Sequence, residues 1–183
     1  DDRSQGFVCI GRIIPEKQIE TIVGILAKVR EIGHSVHLHI IGAHEKNDSY
    51  AQDLKSKIEH QHSEWVTFEG RVDEHRKQAI ISAHNFGISA RTNEPFGIAV
   101  AEMVKGGNIV FVPENGGQVE IVNHQDLVYH DVPDAVRKID NVLDRPFGYG
   151  LLREHLMDES NKFSVETFRY DIRRAVSDFM KNR

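Results

Sequence analysis

The sequence has a single cysteine, Cys9, and no apolar run near the ~20 residues that a membrane span requires. One thiol excludes an intramolecular disulfide and a cysteine-based zinc site, and it is typical of a reducing compartment. Basic residues number 23 against 28 acidic ones, and the net charge of -5 argues against a non-specific nucleic-acid binder. We therefore expect a cytoplasmic protein with Cys9 in its core and no nucleic-acid partner.

Familiar metal and nucleotide motifs are also missing. The sequence contains no G-x-x-x-x-G-K loop, no G-x-G-x-x-G fingerprint and no H-E-x-x-H zinc motif. It does contain 11 histidines, and His37 and His39 share one face of a predicted strand, with His34 and His44 nearby. The spacing matches no metal motif, so we predict no metal site, and we interpret His60-Gln61-His62 as a frayed helix end.

Short apolar runs alternate with helical patterns six times. The predicted strands are Phe7–Ile10, Val36–Ile41, Trp65–Glu69, Phe86–Ser89, Ile109–Val112 and Leu127–Tyr129. The predicted helices cover residues 19–32, Ser49–His62, Glu74–Ala83, 98–105, Gln118–Val122, Asp131–Leu143, Tyr149–Met157 and Val165–Met180. Alternation of this kind predicts an α/β fold, a single Rossmann-like, doubly wound parallel sheet of about six strands with helices on both faces and a helical C-terminus.

Turn and cap residues set the expected element boundaries. Pro15 stands where a helix begins, and Gly33 ends the first long helix. Ser49 and Asp73 are predicted N-caps. The chain opens at Asp1 and enters a core strand almost at once, so we expect residues 1–183 to be one domain of a longer protein.

Ligands of such folds bind at the carboxyl ends of the strands, which points to loops 11–15, 42–48, 70–72, 90–97 and 113–117. Arg12 and Lys17 lie in and after the first of them, beside a helix start, where two cations suit a diphosphate. Taken alone, the two residues are better explained as solvated surface charges. Paired glycines at 116–117 allow a tight turn against a ligand or a neighbouring loop, and a plain turn explains them equally well.

Loop 90–97 leads into a helix and carries two carboxylates eight positions apart. Glu94 lies in the loop and Glu102 inside the helix, while Gly97 lets a ligand approach the first free amides, at residues 96–98. Glu102 could accept hydrogen bonds from a ribose diol. Taken alone, Glu102 is better explained as a solvated residue on the helix surface. The two carboxylates also suggest a glycosidase pair, but the cations of the first loop argue against it, since glycoside hydrolysis needs no phosphate site.

These motifs together resemble the C-terminal, donor-binding domain of retaining GT-B glycosyltransferases of family 4, the group 1 transferases. The resemblance covers about residues 6–180. It rests on Gly11-Arg12 with Lys17, Gly70-Arg71-Val72, Glu94-Pro95-Phe96-Gly97 with Glu102, and Gly116-Gly117 with Glu120. The E-x7-E pair within E-P-F-G-x-x-x-x-E is its most specific part.

The resemblance implies roles for individual residues. Arg12 and Lys17, after Gly11, would hold the donor diphosphate, and residues 70–72 (Gly70, Arg71 and Val72) would lie against the nucleobase. Glu94 would contact the transferred sugar, so that Glu94, Arg12 and Lys17 form the catalytic group. Backbone at Pro95, Phe96, Gly97 and Ile98 would contact sugar and phosphate, and Glu102 would hold the ribose hydroxyls.

The resemblance further implies a hexosyltransferase that uses a GDP- or UDP-linked sugar, needs no metal or other cofactor, and serves polysaccharide or lipid-linked glycan synthesis. Mannose is the first candidate because it is common in that family. An N-terminal acceptor domain, absent from this chain, would complete the enzyme and supply any peripheral membrane contact, so the isolated domain should bind nucleotide without turnover. A GT-B nucleotide-sugar epimerase and a non-catalytic nucleotide-binding domain are the alternatives.

Some positions depart from the family pattern. Gln18 stands where the family usually has Gly, and residues 123–126 form a shorter segment that lacks the usual Gly. The family often has Pro near Ile109 and small residues near positions 104–105. These departures concern the donor loops.

Overall fold

A single parallel sheet of six strands organises the molecule in a computed structural model that describes residues 3–45 and 47–181. The strands are β1 (Ser4–Ile10), β2 (His37–Ile41), β3 (Val66–Gly70), β4 (His84–Ile88), β5 (Ile109–Pro113) and β6 (Val128–Tyr129). Their order is β3-β2-β1-β4-β5-β6, and every neighbouring pair is parallel. The order reverses between β1 and β4, the point where folds of this kind bind ligands.

Helices cover both faces of the sheet. They are α1 (Ile19–Glu31), α2 (Ser49–His62), α3 (Glu74–Ala83), α4 (Ile98–Lys105), α5 (Gln118–Val122), α6 (Val132–Leu143), α7 (Tyr149–Asn161) and α8 (Val165–Lys181). Helix α1 packs against α6 on one face, while α4 and α5 pack against α7 on the other. The predicted doubly wound, Rossmann-like α/β fold is therefore confirmed.

The core is built around central strands that are buried along their whole length. All five residues of β4 and of β5 are buried, as expected for central strands of a parallel sheet. The rings of Phe7 and Phe86 stack at 4.9 Å between centroids, and Phe111 lies 6.2 Å from Phe7. Cys9 lies in the same core, as predicted, and burial raises the pKa of its thiol to about 12, so it stays protonated.

Side-chain caps start several of the described helices. Asp73 accepts from the Arg76 amide at 2.8 Å, as predicted. The predicted cap at Ser49 is wrong, because Asp48 takes that place and accepts from the Ala51 amide at 3.2 Å. Asp131, predicted as the first residue of its helix, is the N-cap of α6 and accepts from the Asp134 amide.

The start of the first helix also differs from the prediction. Residues Pro15–Lys17 form a single 3-10 turn, and α1 begins only at Ile19. Gln18 joins the two with φ 49° and ψ 46°, the left-handed conformation that favours glycine. The family's usual Gly at this position thus has a physical reason in this chain as well, and Gln18 carries backbone strain.

Strand and helix ends shift by a few residues elsewhere. Strand β1 begins three residues before the predicted start at Phe7, because Ser4 pairs with His84 of β4. Helix α7 runs four residues past its predicted end, to Asn161. Residues 1–2 and 182–183 of the predicted domain, and Lys46 of the predicted loop 42–48, lie outside the described residues.

The C-terminal helix α8 stands apart from the core. It has no buried residue, and five of its large apolar side chains are at least half exposed: Val165, Phe168, Ile172, Val176 and Phe179. They recur at helical spacing, so they form one apolar face. None of the helices described here has both the length and the apolar character needed to cross a bilayer.

Candidate functional site

An open cleft of about 450 Å³ lies at the carboxyl ends of β1 and β4, where the strand order reverses. Its walls come from the loop after β1, the loop after β4 and the first turns of α4. The lining residues are Gly11, Arg12, Ile14, Lys17, Arg91, Glu94, Pro95, Phe96, Gly97, Ile98, Ala99 and Glu102. Nine of the twelve residues predicted for the site therefore share one cleft.

Two glycines bring the loop after β1 close to the neighbouring strand. The Gly11 amide donates to the Ile41 carbonyl at 2.9 Å, and a Cβ on Gly42 would lie 1.7 Å from the Gly11 oxygen. Ile13 is buried just beyond, which leaves the flanking Arg12 exposed at the cleft. The side chain of Lys17 then folds back over Gly11, where a Cβ would meet Lys17 Cε at 2.9 Å.

Glu94 sits between two cations. Its Oε2 lies 3.2 Å from Lys17 Nζ and 3.4 Å from Arg91 Nε, and the Lys17 and Glu94 side chains are only 19% and 16% exposed. The site thus holds two positive charges around one carboxylate in partly desolvated surroundings, where charges interact more strongly than in bulk water.

The backbone of the Glu94 loop is held by the paired glycines after β5. The Gly117 amide donates to the Glu94 carbonyl at 2.8 Å, and Glu94 and Gly116 form an isolated parallel bridge. A Cβ on Gly117 would lie 2.6 Å from the Pro95 oxygen, and a Cβ on Gly116 would lie 2.5 Å from the Glu94 oxygen. The prediction of a tight turn against a neighbouring loop is confirmed.

Helix α4 points its first turn into the cleft. Gly97 precedes the helix with φ 100°, and no side chain caps the helix. The first amides of any α-helix lack an intrahelical acceptor, so those of Ile98, Ala99 and Val100 are available to an anion. Gln118 supports this end, since its Nε2 donates to the Arg91 carbonyl at 2.7 Å and its Cβ would touch any side chain placed on Gly97.

Glu102 lies on α4 at the far end of the cleft and has a partner that the sequence did not suggest. Its Oε1 accepts from Lys77 Nζ at 2.8 Å, and Lys77 also reaches Glu74 at 2.9 Å. The hydrogen bonds with Glu102 and Glu74 raise the pKa of Lys77, so the ammonium stays charged at neutral pH. Lys77 therefore holds the Glu102 side chain in place with a permanent positive charge.

The three residues predicted for the nucleobase lie away from the cleft. Gly70 is the last residue of the edge strand β3, two strands from β1, and Arg71 and Val72 follow it. The Gly70 carbonyl accepts from the Gly42 amide at 3.0 Å, Val72 packs against the core, and Arg71 is exposed. They share the carboxyl edge of the sheet with the cleft without lining it.

Sequence patterns missed several residues of the site. Ile14, Arg91 and Ala99 line the cleft, Lys77 holds Glu102, and Gln118 supports the start of α4. Arg91 could have been found from its place three residues before Glu94 in a loop already singled out. Lys77 and Gln118 gave no sequence signal. Each lies on a helix that is distant in sequence from the cleft loops and comes close to them only in the folded chain.

A model of one protein family covers most of the chain. Residues 1–163 match the family described as "Glycosyl transferases group 1". The chain belongs to this family. The resemblance inferred from the motifs at the strand ends is thereby confirmed at the level of the family.

Curated relatives of this group 1 chain are longer proteins. An uncharacterized glycosyltransferase of Methanocaldococcus jannaschii is 28% identical over 174 residues, which cover 93% of the chain and 43% of the relative. A GDP-Man:Man(3)GlcNAc(2)-PP-Dol alpha-1,2-mannosyltransferase of Mus musculus is 31% identical over 119 residues, 61% of the chain and 24% of the relative. The chain thus spans less than half the length of both.

Solved glycosyltransferases share the fold of this group 1 chain. Anabaena HepE, in complex with UDP and glucose, superposes with a TM-score of 0.80 at 18% identity, over 97% of the chain and 49% of HepE. The sucrose-phosphate synthase of Thermosynechococcus elongatus gives 0.80 at 20% identity, over 98% and 47%. At such identities the likeness establishes the Rossmann-like fold found in GT-B glycosyltransferases.

Proposed function

We propose that residues 1–183 are the C-terminal, donor-binding domain of a retaining GT-B glycosyltransferase of family 4, and that the cleft binds a nucleotide diphosphate sugar. The observation that carries the proposal is the convergence of Arg12, Lys17 and the uncapped first turn of α4 on one cleft. Cations and helix amides together form the kind of anion site that suits a diphosphate. Family membership supports the same assignment.

The cleft can favour departure of a nucleoside diphosphate. Breaking the bond between sugar and diphosphate builds negative charge on the leaving oxygen and positive charge on the sugar ring. The negative charge would be stabilised by Arg12, Lys17 and the α4 amides, and the positive charge by the Glu94 carboxylate. These groups are fixed in place, so they would not need to reorganise during the reaction. Positive charge from the chain itself would fill the role that a metal ion fills in other transferases, so we propose a cofactor-independent reaction.

The remaining contacts distribute the donor along the cleft. Glu102, eight residues after Glu94, would accept hydrogen bonds from the ribose diol while Lys77 keeps its carboxylate in place. Residues 70–72 would approach the nucleobase from the edge of the sheet. Glu94 and Glu102 would then contact opposite ends of one extended donor, which differs from the acid and base of a glycosidase.

The proposed identity of the donor and acceptor rests on the named relatives. A GDP-mannose-dependent relative is 31% identical over 61% of the chain, and the HepE complex contains UDP and glucose. We therefore propose a GDP- or UDP-linked hexose, with mannose the first candidate, and transfer to a glycan or lipid-linked acceptor.

An acceptor domain would pack on the exposed apolar face of α8. That face presents Phe168, Ile172 and Val176 at 50–65% exposure, and a face of this size is otherwise unfavourable in water. The whole enzyme would then consist of this domain and an N-terminal one that completes the active site.

Isothermal titration calorimetry of the 183-residue chain with GDP, UDP and ADP tests the proposal. We expect weak but saturable binding of at least one of them, in the micromolar to millimolar range, and no sugar transfer by the isolated chain. Absence of heat from all three at millimolar ligand would rule out the donor site. Transfer activity without a second domain would contradict the assignment as one half of an enzyme.

A further inference from the structure

Three histidines meet at the amino end of the sheet, opposite the donor cleft. His37 and His39 lie two residues apart on one face of β2, and His84 is the first residue of β4. Strand β1 separates β2 from β4, so the rings can meet only across β1. Over strands of five residues at ~3.3 Å per residue, this end of the sheet is roughly 15 Å from the cleft.

Gly6 of β1 makes the meeting possible. It pairs with His37 in the register of β1 and β2. A Cβ on Gly6 would lie 2.3 Å from both His37 Nε2 and His84 Cδ2, so any side chain there would displace the rings. The chain thus leaves a gap in β1 that the imidazoles of its two neighbours fill.

The rings are close enough to share one ion. Their centroids lie 4.5 Å apart for His39 and His84, 5.1 Å for His37 and His84, and 5.5 Å for His37 and His39. One nitrogen from each ring lies within 4.8 Å of the others. A tetrahedral ion with Zn–N bonds of 2.0–2.1 Å needs about 3.4 Å between ligand nitrogens. Side-chain rotations that move the ring nitrogens by about 1 Å would therefore complete the site.

Two of the rings are already oriented as metal ligands are. His39 Nδ1 lies 2.7 Å from Glu69 Oε1, and His84 Nδ1 lies 2.6 Å from the Ile80 carbonyl. Because a carboxylate and a carbonyl both accept, Nδ1 donates in each pair, and Nε2 is the nitrogen of each ring that remains to bind an ion. Hydrogen bonds of this kind from the second ring nitrogen are typical of metal-binding histidines. Arg76 holds Glu69 in turn, at 3.1 Å.

We propose that His37, His39 and His84 bind a divalent transition-metal ion, Zn²⁺ in the first place, with the fourth position open to water. Three imidazoles suit zinc, nickel and copper, whereas magnesium and calcium prefer oxygen ligands. His37 and His39 are partly exposed, which gives the ion access. The ion would join β2 to β4 across β1, so its role would be to stabilise the fold and not to take part in sugar transfer.

Titration of the metal-free, untagged 183-residue chain with ZnCl₂ tests this site. We expect one tight equivalent by calorimetry and a rise in the midpoint of thermal unfolding. His37→Gln and His39→Gln should each weaken binding at least tenfold while the chains remain folded. Co²⁺ in place of Zn²⁺ should show the intense visible absorption of tetrahedral nitrogen coordination, a signal that a purely structural role for the rings would not give.

The chain offers a matched control. His34 lies near Asp140 and Asp144 in a second group that could hold an ion, so His34→Gln removes an imidazole from a competing site. This variant should bind Zn²⁺ as the wild type does. Loss of the tight equivalent in His34→Gln, or its retention in the double variant His37→Gln/His39→Gln, would overturn the proposal.

Discussion

Replacing Glu94 with Gln should tighten the binding of a nucleoside diphosphate to the isolated chain. The Glu94 carboxylate forms ion pairs with Lys17 at 3.2 Å and with Arg91 at 3.4 Å. A diphosphate that enters the cleft must compete with this carboxylate for the Lys17 ammonium. An amide of the same shape removes the competitor and leaves both cations in place.

The size of the effect follows from the burial of the pair. Exposed ion pairs contribute 0.2–1 kcal/mol, and the Lys17 and Glu94 side chains, at 19% and 16% exposure, belong at the upper end of that range. Release of about 1 kcal/mol corresponds to about a fivefold gain in affinity for UDP or GDP. If the proposed donor role is right, the same variant of the proposed two-domain enzyme should have a strongly lowered turnover number, because the carboxylate that would face the developing cation is gone.

Calorimetry with the preferred nucleotide measures the affinity, and Glu154→Gln is the control, since it removes one exposed carboxylate from α7. That control should leave the affinity within a factor of two. Weaker binding in Glu94→Gln than in wild type would mean that Glu94 itself holds the nucleotide, and it would refute the division of roles between Glu94 and the cations.

Three further substitutions test other parts of the structure. Lys17→Met removes a charge-assisted contact of about 2 kcal/mol and should weaken nucleotide binding about thirtyfold in calorimetry, whereas Lys105→Met, on the exposed end of α4, should not. Gln18→Gly relieves a left-handed residue and should raise the free energy of unfolding by about 0.5–1 kcal/mol in urea titrations, a gain that Gln18→Ala would not give. Gly117→Ala should cost about 1–3 kcal/mol in the same assay because its Cβ meets backbone at 2.6 Å, while Gly148→Ala, with open space around it, should cost far less.

Much of the fold could be read from local patterns. Runs such as Ile109–Val112 are apolar throughout, and only a strand covered on both faces explains them. Their ends were harder to place, since Ser4 joins β1 by pairing with His84, a contact that no local pattern encodes. Ser49 was mistaken for a cap because Asp48, one residue earlier, competes for the same amide.

Contacts between residues that follow strand ends could be predicted from the sequence. Contacts that depend on the order of the strands in the sheet could not. Lys17 and Glu94 follow β1 and β4, and parallel strands end at one edge, so their proximity was within reach of the sequence. Lys77 meets Glu102 only because α3 lies beside α4, and His84 meets His39 only because β1 is the strand between them. Pairs of this kind require the topology.

The central claim is that a nucleoside diphosphate binds at the first turn of α4. Titration of ¹⁵N-labelled chain with UDP or GDP, followed by amide chemical shifts, tests it most directly. The largest shifts should fall on Gly97, Ile98, Ala99 and Val100, with Lys17 next to them. Shifts confined to another surface, such as the cavity between His124 and Leu152, would contradict the claim even if binding were tight.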